Sequence, residues 1–325
     1  MLGHKVTTKQ RVLITGGSGT VGKAFIEKYQ DKYDFYSYAR NEKMQTSLKR
    51  QYENVEIIIG AIEDRITLFR AVETTKPDII IHAAAIKHIE TGEKDPIQTC
   101  KVNILGSLNV VEAALRYNIP KTIAISTDKA CDPRGVYGYT KRLTEEMFLQ
   151  AATAACKFAV CRFGNVTHSS GSVLPFWLNL ANNSKPLPLT HPDCNRFMFS
   201  RKTAAKLIFK SLTLLEKTNT SFLISQKMKT VNMLDLAKTI QDDVFIVGLR
   251  GETEKLNEVM ISEDELPFTY LTGDGYILLK KEKNPNEETQ LAKELSTATA
   301  ERMTRAELLL LIRDVDEIEA SYGMY

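Results

Sequence analysis

The stretch STDKACDPRGVYGYTK (126–141) gathers four side chains that exchange protons: Asp128, Lys129, Tyr137 and Lys141. Tyr137 and Lys141 are four residues apart, so on a helix they share one face. An ammonium held beside a phenol lowers its pKa by favouring the phenolate. A phenolate can take the proton of a hydroxyl while hydride leaves the same carbon, and the positive charge of a nicotinamide adds to the effect. Asp128 and Lys129 contribute a further acid and base, unless they form an ordinary polar turn after a strand. Cys131 has no neighbour that would lower its thiol pKa and reads as a packing residue.

Around this stretch, short apolar runs alternate with amphipathic ones. RVLIT (11–15), DFYSYA (34–39), VEIII (55–59), DIIIH (78–82), KTIAIS (121–126) and KFAVCR (157–162) predict buried strands. GKAFIEKYQ and NILGSLNVVEAALRY predict helices between them, and Pro77, Pro96 and Pro120 sit where elements change. The rhythm predicts an α/β fold with a doubly wound parallel sheet. After about residue 166 it breaks. SVLPFWLNLANN and SRKTAAKLIFKSLTLLEK predict helices, KPLPLTHPDCN a loop, and SFLIS (221–225) one more strand of the main sheet. VNMLDLAKTIQ and DVFIVGLR predict a helix and a strand, and KKEKNPNEET (280–289) a solvated loop.

Directly after the first strand comes TGGSGTVGKAF, with Gly16, Gly19 and Gly22 spaced G-x-x-G-x-x-G. Such glycines let a backbone turn tightly against a pyrophosphate at a helix N-terminus. The second strand ends in YSYARNEK, where an NAD enzyme usually carries a carboxylate. Here Arg40 and Lys43 stand instead, with Glu42 the one acid, and a guanidinium suits a 2′-phosphate. NADP is therefore expected in preference to NAD, unless Arg40 is simply solvated. HAAAIKHIE (82–90) ends the fourth strand: Ala83, Ala84 and Ala85 leave room for a cofactor, and Lys87 and His88 reach its ribose or the substrate. His88 reads equally as a structural histidine. The expected organisation is a Rossmann-like dinucleotide domain over 1–166, returning at about 200–226. A smaller C-terminal α/β substrate-binding region takes 167–199 and 227–325.

Composition narrows the class. The 325 residues are 43% apolar and 26% charged with a formal charge of +3, too little to argue for a nucleic-acid or membrane-surface partner. No apolar run reaches ~18 residues, and MLGHKVTTKQ lacks the apolar core of a signal peptide. Cysteines 100, 131, 156, 161 and 194 have no metal-type spacing and read as free thiols, so no metal site and a cytoplasmic location are expected.

Several longer runs carry a resemblance. HAAAIKHIETGEKDP, KVNILGSLNVVEAA, STDKA, VYGYTK, RFGNVTHSSGSVLPF and NRFMFS are similar, in this order, to the extended short-chain dehydrogenase/reductases. Within these they resemble the nucleotide-sugar 4,6-dehydratases. The dTDP-glucose enzymes have Thr-Asp-Glu where this chain has Thr127-Asp128-Lys129, which looks like the UDP-N-acetylglucosamine 4,6-dehydratases that invert C5. GLRGETEKLNEVMISEDE (248–265) resembles their G-x-R-P-G-E-K-L-x-E signature, with Arg250 and Glu258 in place. The segment is one residue longer and lacks the proline, which blurs the role of Glu254. Ala61 stands where an aspartate near the adenine is usual. Tyr137 is kept where some inverting enzymes carry methionine. The likeness spans about residues 11–262.

The resemblance implies NADP, tightly bound and recycled, held by Gly16, Ser18, Gly19, Thr20, Val21 and Gly22. Arg40, Asn41, Lys43, Ala61 and Ile62 would meet its adenosine side. Ala83, Ala84, Ala85, Lys87, Asn103, Tyr137, Lys141 and Val166 would line the rest. Catalysis falls to Thr127, Asp128, Lys129, Tyr137 and Lys141. Tyr137 would deprotonate the C4 hydroxyl, Thr127 steady it, a neutral Lys129 take H5, and a protonated Asp128 release the C6 hydroxyl as water. Burial can shift an aspartate or lysine by up to ~3–5 pH units toward those states. Lys87, His88, Thr127, Asn165, Val173, Arg196, Arg250 and Glu254 are the expected substrate residues, with Leu174 and Pro175 beside the uracil. Trp177 reads as core. The expected product is UDP-2-acetamido-2,6-dideoxy-β-L-arabino-hex-4-ulose, a first step toward an L-configured acetamido sugar of a surface glycan. A homo-oligomer, a dimer or larger and as large as a hexamer, is the expected assembly. The rival readings are a C5-retaining dehydratase, a UDP-hexose 4-epimerase, and an NADP-sensing protein without chemistry.

Overall fold

Three consecutive isoleucines, Ile79, Ile80 and Ile81, are at most 1% exposed. β-branched residues buried on both faces mark a strand covered by helices on each side. This strand is β4 (Ile79–His82) of a nine-stranded sheet, in a computed structural model that describes residues 9–314 except Ser170 and Glu252. The N-terminal MLGHKVTT read above for a signal peptide, and residues 315–325, lie outside the described residues.

The other strands of the first half are β1 (Gln10–Thr15), β2 (Tyr33–Ala39), β3 (Val55–Ile59), β5 (Lys121–Thr127) and β6 (Lys157–Phe163). Between them lie α1 (Thr20–Tyr29), α2 (Glu42–Gln51), α3 (Arg65–Thr75), α4 (Ile89–Lys94), α5 (Pro96–Cys100), α6 (Gly106–Arg116) and α7 (Gly135–Gln150). The second half gives β7 (Asn165–Val166), α8 (Val173–Asn182), β8 (Leu187–Leu189), β9 (Asn195–Phe199), α9 (Arg201–Lys217), β10 (Phe222–Gln226) and β11 (Thr230–Asn232). It ends with α10 (Met233–Ile240), β12 (Val244–Ile246), β13 (Val259–Ile261), β14 (Thr269–Leu271), β15 (Tyr276–Leu279), β16 (Leu295–Ser296) and α11 (Arg305–Arg313).

The sheet order is β14-β15-β10-β6-β5-β4-β1-β2-β3, parallel from β3 to β10. Alternate residues feed two cores. Ile14, Ile81, Ile123 and Cys161 face α1 and α9, while Leu13, Ile80, Ala124 and Val160 face α3, α6 and α7. Each such aliphatic side chain contributes ~1.5–3 kcal/mol by leaving water. Strand order reverses between β1 and β4, which opens a crevice at their carboxyl ends. A third core of Trp177, Leu187, Val231, Leu236 and Leu308 supports the opposite wall.

Three elements differ from the sequence expectation. The loop expected over KPLPLTHPDCN contains β8, paired with β12. Its Pro188 is tolerated because this two-stranded sheet is all edge. The hairpin β14–β15 joins the central sheet antiparallel to β10, so part of 227–325 extends the sheet rather than the cleft. Asn284, within the stretch read as solvated, is 5% exposed and donates to the Thr269 carbonyl at 2.8 Å.

Candidate active site

A cleft of about 1430 Å³ runs along the carboxyl ends of the strands, between the sheet and the third core. At one end the turn from β1 to α1 is pressed against the exit of β4. Gly16 has φ +73°, and a Cβ there would stand 2.9 Å from the Ala84 nitrogen. Gly19 caps α1 without a side-chain acceptor, and no acid occupies the first turn. That leaves a helix N-terminus of positive character facing the cleft. Ser18, Thr20, Val21 and Gly22 complete this wall, with Ala83, Ala84, Ala85 and Ile62 opposite. These features fit the diphosphate of a dinucleotide.

Arg40 lines the same end, 3.9 Å from Glu63, with its side chain 58% exposed. Asn41 also lines it and caps α2 by accepting from the Met44 amide at 3.0 Å. Lys43 and Ala61 are not brought to the wall. Lys43 projects from the first turn of α2 into solvent, and the Ala61 carbonyl is turned to accept the Tyr38 hydroxyl at 2.8 Å. Asn103 lies beneath the wall, where it accepts from the Ile86 amide (2.8 Å) and donates to the Ile86 carbonyl (3.0 Å). It thereby fixes the chain leading to Lys87 and His88, and it sits in a π-helical turn, Lys101–Leu105, of a kind often kept at functional sites.

A buried polar chain that the sequence reading did not single out joins this end to α7. His82 Nδ1 meets Thr15 Oγ1 at 2.7 Å, and its Nε2 meets Ser107 Oγ at 3.0 Å. Ser107 reaches Thr144 of α7 at 3.2 Å. Burial, with the Lys141 charge in support, pushes the imidazole down to about 3, so His82 is neutral.

The reactive groups meet midway along the cleft. Strand β5 ends at Thr127, and a 3₁₀ turn, Asp128–Ala130, follows. Thr127 Oγ1 donates to Asp128 Oδ1 at 2.9 Å, and Lys129 Nζ donates to the same oxygen at 2.9 Å. Lys129 Nζ also lies 3.4 Å from Asn165 Oδ1 and 3.2 Å from Glu258 Oε1. Asp128 is fully buried, beneath Lys129 rather than on the wall. Tyr137 and Lys141 project from α7 into the cleft beside Thr127 and Lys129.

Protonation departs from the sequence expectation. Burial pushes the Asp128 carboxyl up; Lys129 opposes this and Glu258 adds to it. Burial alone would lower Lys129, but Asp128 and Glu258 outweigh it and the ammonium is held well above its usual range. Lys129 is thus charged in this state, not neutral. Burial pushes the Tyr137 phenol up to about 12, and the cation that pulls against this is Lys129. Lys141 instead donates to the Ile125 carbonyl, while burial brings it down to about 8.

The far end carries the anion-binding candidates. Arg196 of β9 is 8% exposed, and its Nη2 lies 3.4 Å from Glu254 Oε1. Arg250 is exposed and pairs with Glu90 (3.4 Å) and with Glu254 (3.8 Å). Glu254 therefore bridges the two arginines in this state. Lys87, His88, Asn165, Val166 and Val173 line the wall, and His88 stacks so close to Gly171 that a Cβ there would meet its ring at 2.4 Å. Leu174 is wholly buried, and neither it nor Pro175 reaches the cleft. Trp177 is core, 1% exposed, with its indole donating to the Pro188 carbonyl at 3.0 Å. Cys131 packs, its thiol pushed up to about 12 by burial. Among the described residues no acidic, histidine or cysteine group could hold a metal, and no helix is long and apolar enough to cross a membrane.

A parallel sheet with this switch-point cleft and a Tyr137–Lys141 pair defines a short-chain dehydrogenase/reductase architecture. The chain belongs to the family described as "Polysaccharide biosynthesis protein", whose profile matches residues 12–279. It is 34% identical over 274 residues to "UDP-N-acetylglucosamine 4,6-dehydratase (inverting)" of Campylobacter jejuni, covering 81% of this chain and 80% of that one. The crystal structure of Pen from Bacillus thuringiensis superposes with a TM-score of 0.86 at 25% identity, over 95% of this chain and 98% of that one. The Bordetella bronchiseptica enzyme WbmG, solved with NAD and UDP, has a TM-score of 0.64 at 19% identity, over 76% and 84%.

Proposed function

We propose that the chain is a UDP-N-acetylglucosamine 4,6-dehydratase that inverts C5 and uses NADP. The observation that carries this is the Asp128–Lys129 pair, with Oδ1 and Nζ 2.9 Å apart: Lys129 stands beside Thr127 and Tyr137 on the cleft wall, and Asp128 lies buried directly beneath it. A C4 epimerase has no use for that second pair. The Campylobacter relative's activity supports the substrate and the stereochemistry, and the guanidinium of Arg40 at the adenosine end supports a 2′-phosphate. A nucleotide-sugar substrate and free cysteines fit a cytoplasmic protein.

A nicotinamide dinucleotide bound along the glycine turn would accept the C4 hydrogen and return it to C6. Tyr137 takes the C4 hydroxyl proton, and Thr127 Oγ1 holds that hydroxyl in line. Because Tyr137 begins with a phenol near 12, it needs the positive surroundings of a loaded cleft to act as a base. One proton shifts from Lys129 Nζ to Asp128 Oδ1, turning the ion pair into a neutral base and a neutral acid. Lys129 then removes H5, which the C4 ketone has made acidic. Asp128 protonates the departing C6 hydroxyl, C5 and C6 become doubly bonded, and water leaves. The elimination leaves Asp128 and Lys129 as the ion pair they began as. A solvent-derived proton delivered to C5 from the opposite face, with Tyr137 releasing to solvent the proton it took, gives the L-configured 4-keto-6-deoxy sugar. Arg196 and Arg250 hold the diphosphate once Glu254 yields them.

The test is incubation with UDP-N-acetylglucosamine in deuterated water. The expected product is lighter by one water and carries deuterium at C5 in inverted configuration by NMR. Retained configuration at C5, a C4 epimer of unchanged mass, or no water loss with any of several UDP-sugars would each defeat the proposal.

A further inference from the structure

Glu258 lies in the second half of the sequence, far along the chain from the catalytic turn, yet it is 2% exposed and faces Lys129. Among the described residues, Asp128 and Glu258 are the carboxylates within ion-pair distance of Lys129 Nζ, at 2.9 and 3.2 Å. The proposed elimination gives these two anions different fates. Asp128 must carry a proton to release the C6 hydroxyl, and a protonated carboxyl no longer balances an ammonium. Lys129 becomes an ammonium as H5 arrives, while Asp128 still holds the proton it has yet to pass to the C6 hydroxyl. A second anion is therefore needed beside Nζ, and one is built in.

Its placement is fixed from several sides. The Glu258 amide donates to Thr297 Oγ1 at 2.9 Å, and its carbonyl accepts from the Thr297 amide at 2.9 Å. Its Oε2 is buried without a hydrogen bond, 3.5 Å from Lys255 Nζ. Lys255 in turn donates to the Asp132 carbonyl at 2.5 Å and to its carboxylate at 3.0 Å. Glu258 is thus locked to the loop that leads into α7. A buried carboxylate is costly unless cations balance it, and here Lys129 and Lys255 do so from two sides.

We propose that Glu258 is a positioning residue: it supplies the counter-charge for Lys129 while Asp128 serves as the acid. The inference rests on the dehydratase reading. The charged or titratable groups facing Lys129 are Asp128 on its own turn, Glu258 before β13, Arg196 on β9 and Tyr137 on α7. Asp128 and Glu258 hold the proton on Lys129, and Arg196 works against them.

Glu258→Gln removes the charge and keeps the shape. In single turnovers of the NADP-loaded protein, C4 oxidation read at 340 nm is expected within ~3-fold of wild type, while water loss by mass falls ~10²-fold, the scale of a lost general-base contribution. Glu258→Asp is expected to recover part of the elimination. Independently of turnover, the Lys129 side-chain NMR titration is expected to move down by about one pH unit or more in Glu258→Gln. If Glu258→Gln does not fold, Lys255→Met loosens the anchor and is expected to slow elimination selectively. Equal loss of both steps, unchanged water loss, or an unmoved Lys129 titration would each overturn the proposal. Should wild type oxidise sugar without ever losing water, the dehydratase reading fails, and the Lys129 titration still decides whether Glu258 is its counter-charge.

Discussion

Helix α7, which carries Tyr137 and Lys141, is held to the sheet by a buried guanidinium, and that link sets a measurable stability. Arg162 is 1% exposed and donates to Glu145 of α7 at 2.7 and 3.0 Å. It also donates to Glu265 at 2.8 and 2.9 Å and to the Met260 carbonyl at 2.8 Å. Burial would raise the Glu265 carboxyl, but Arg162 overrides it and holds it at about 2, against 4.5 for an ordinary glutamate. At ~1.36 kcal/mol for each pH unit, that fall corresponds to roughly 3 kcal/mol favouring the folded state. Breaking a buried pair by removing one partner costs ~3–5 kcal/mol, so the two routes agree. The sign follows from the direction: a depressed carboxyl stabilises fully above about 4.5, and the contribution disappears as pH falls through about 2. Glu265→Gln should therefore unfold in denaturant with a deficit of ~3 kcal/mol at pH 7. The deficit should hold down to about pH 4.5 and shrink below it. A deficit under ~0.5 kcal/mol at pH 7, or a gap that widens on acidification, would refute the assignment of Glu265 as the partner of Arg162.

Two further perturbations address the cofactor end. Gly16→Ala forces a side chain into left-handed backbone, with its Cβ 2.9 Å from the Ala84 nitrogen. It should abolish dinucleotide binding in calorimetry and cost ~1–3 kcal/mol of stability; normal binding would show that the turn can move away. Arg40→Ala should weaken NADP by ~10-fold or more and leave NAD nearly unchanged, since a guanidinium–phosphate contact is worth ~1.5–3 kcal/mol. Equal losses for both nucleotides would remove Arg40 as the 2′-phosphate reader.

Local periodicity carried the sheet. The six strand runs of the first half each fall within one residue of the observed strands. The central β4, β5 and β6 are buried along nearly their whole length and so read as near-continuous apolar runs, while the edge strand β3, with Glu56 and Ile59 exposed, is marked by its β-branched residues. The glycine turn and the shared face of Tyr137 and Lys141 were equally legible, since each depends on residues only a few positions apart. The antiparallel hairpin β14–β15 was not, because its short runs TYL and YILL look alike whether they join a sheet or cover a loop. Neither was His82, read only as the last residue of a strand, although it links β1 to α6.

The protonation states show most clearly what spacing leaves out. The adjacency of Asp128 and Lys129 announces an acid and a base, and Tyr137 followed by Lys141 announces a phenol with its cation. Folding exchanges the partners. The cation acting on Tyr137 is Lys129, and Lys141 turns to a strand carbonyl. The second anion on Lys129 comes from the far half of the chain. Among groups as buried as these each such encounter outweighs any local preference, because charges 3 Å apart interact far more strongly there than in water. The sequence order therefore identifies which groups can move protons, whereas the direction in which each proton moves is set by β9, by the segment before β13, and by what they bring within reach of Nζ.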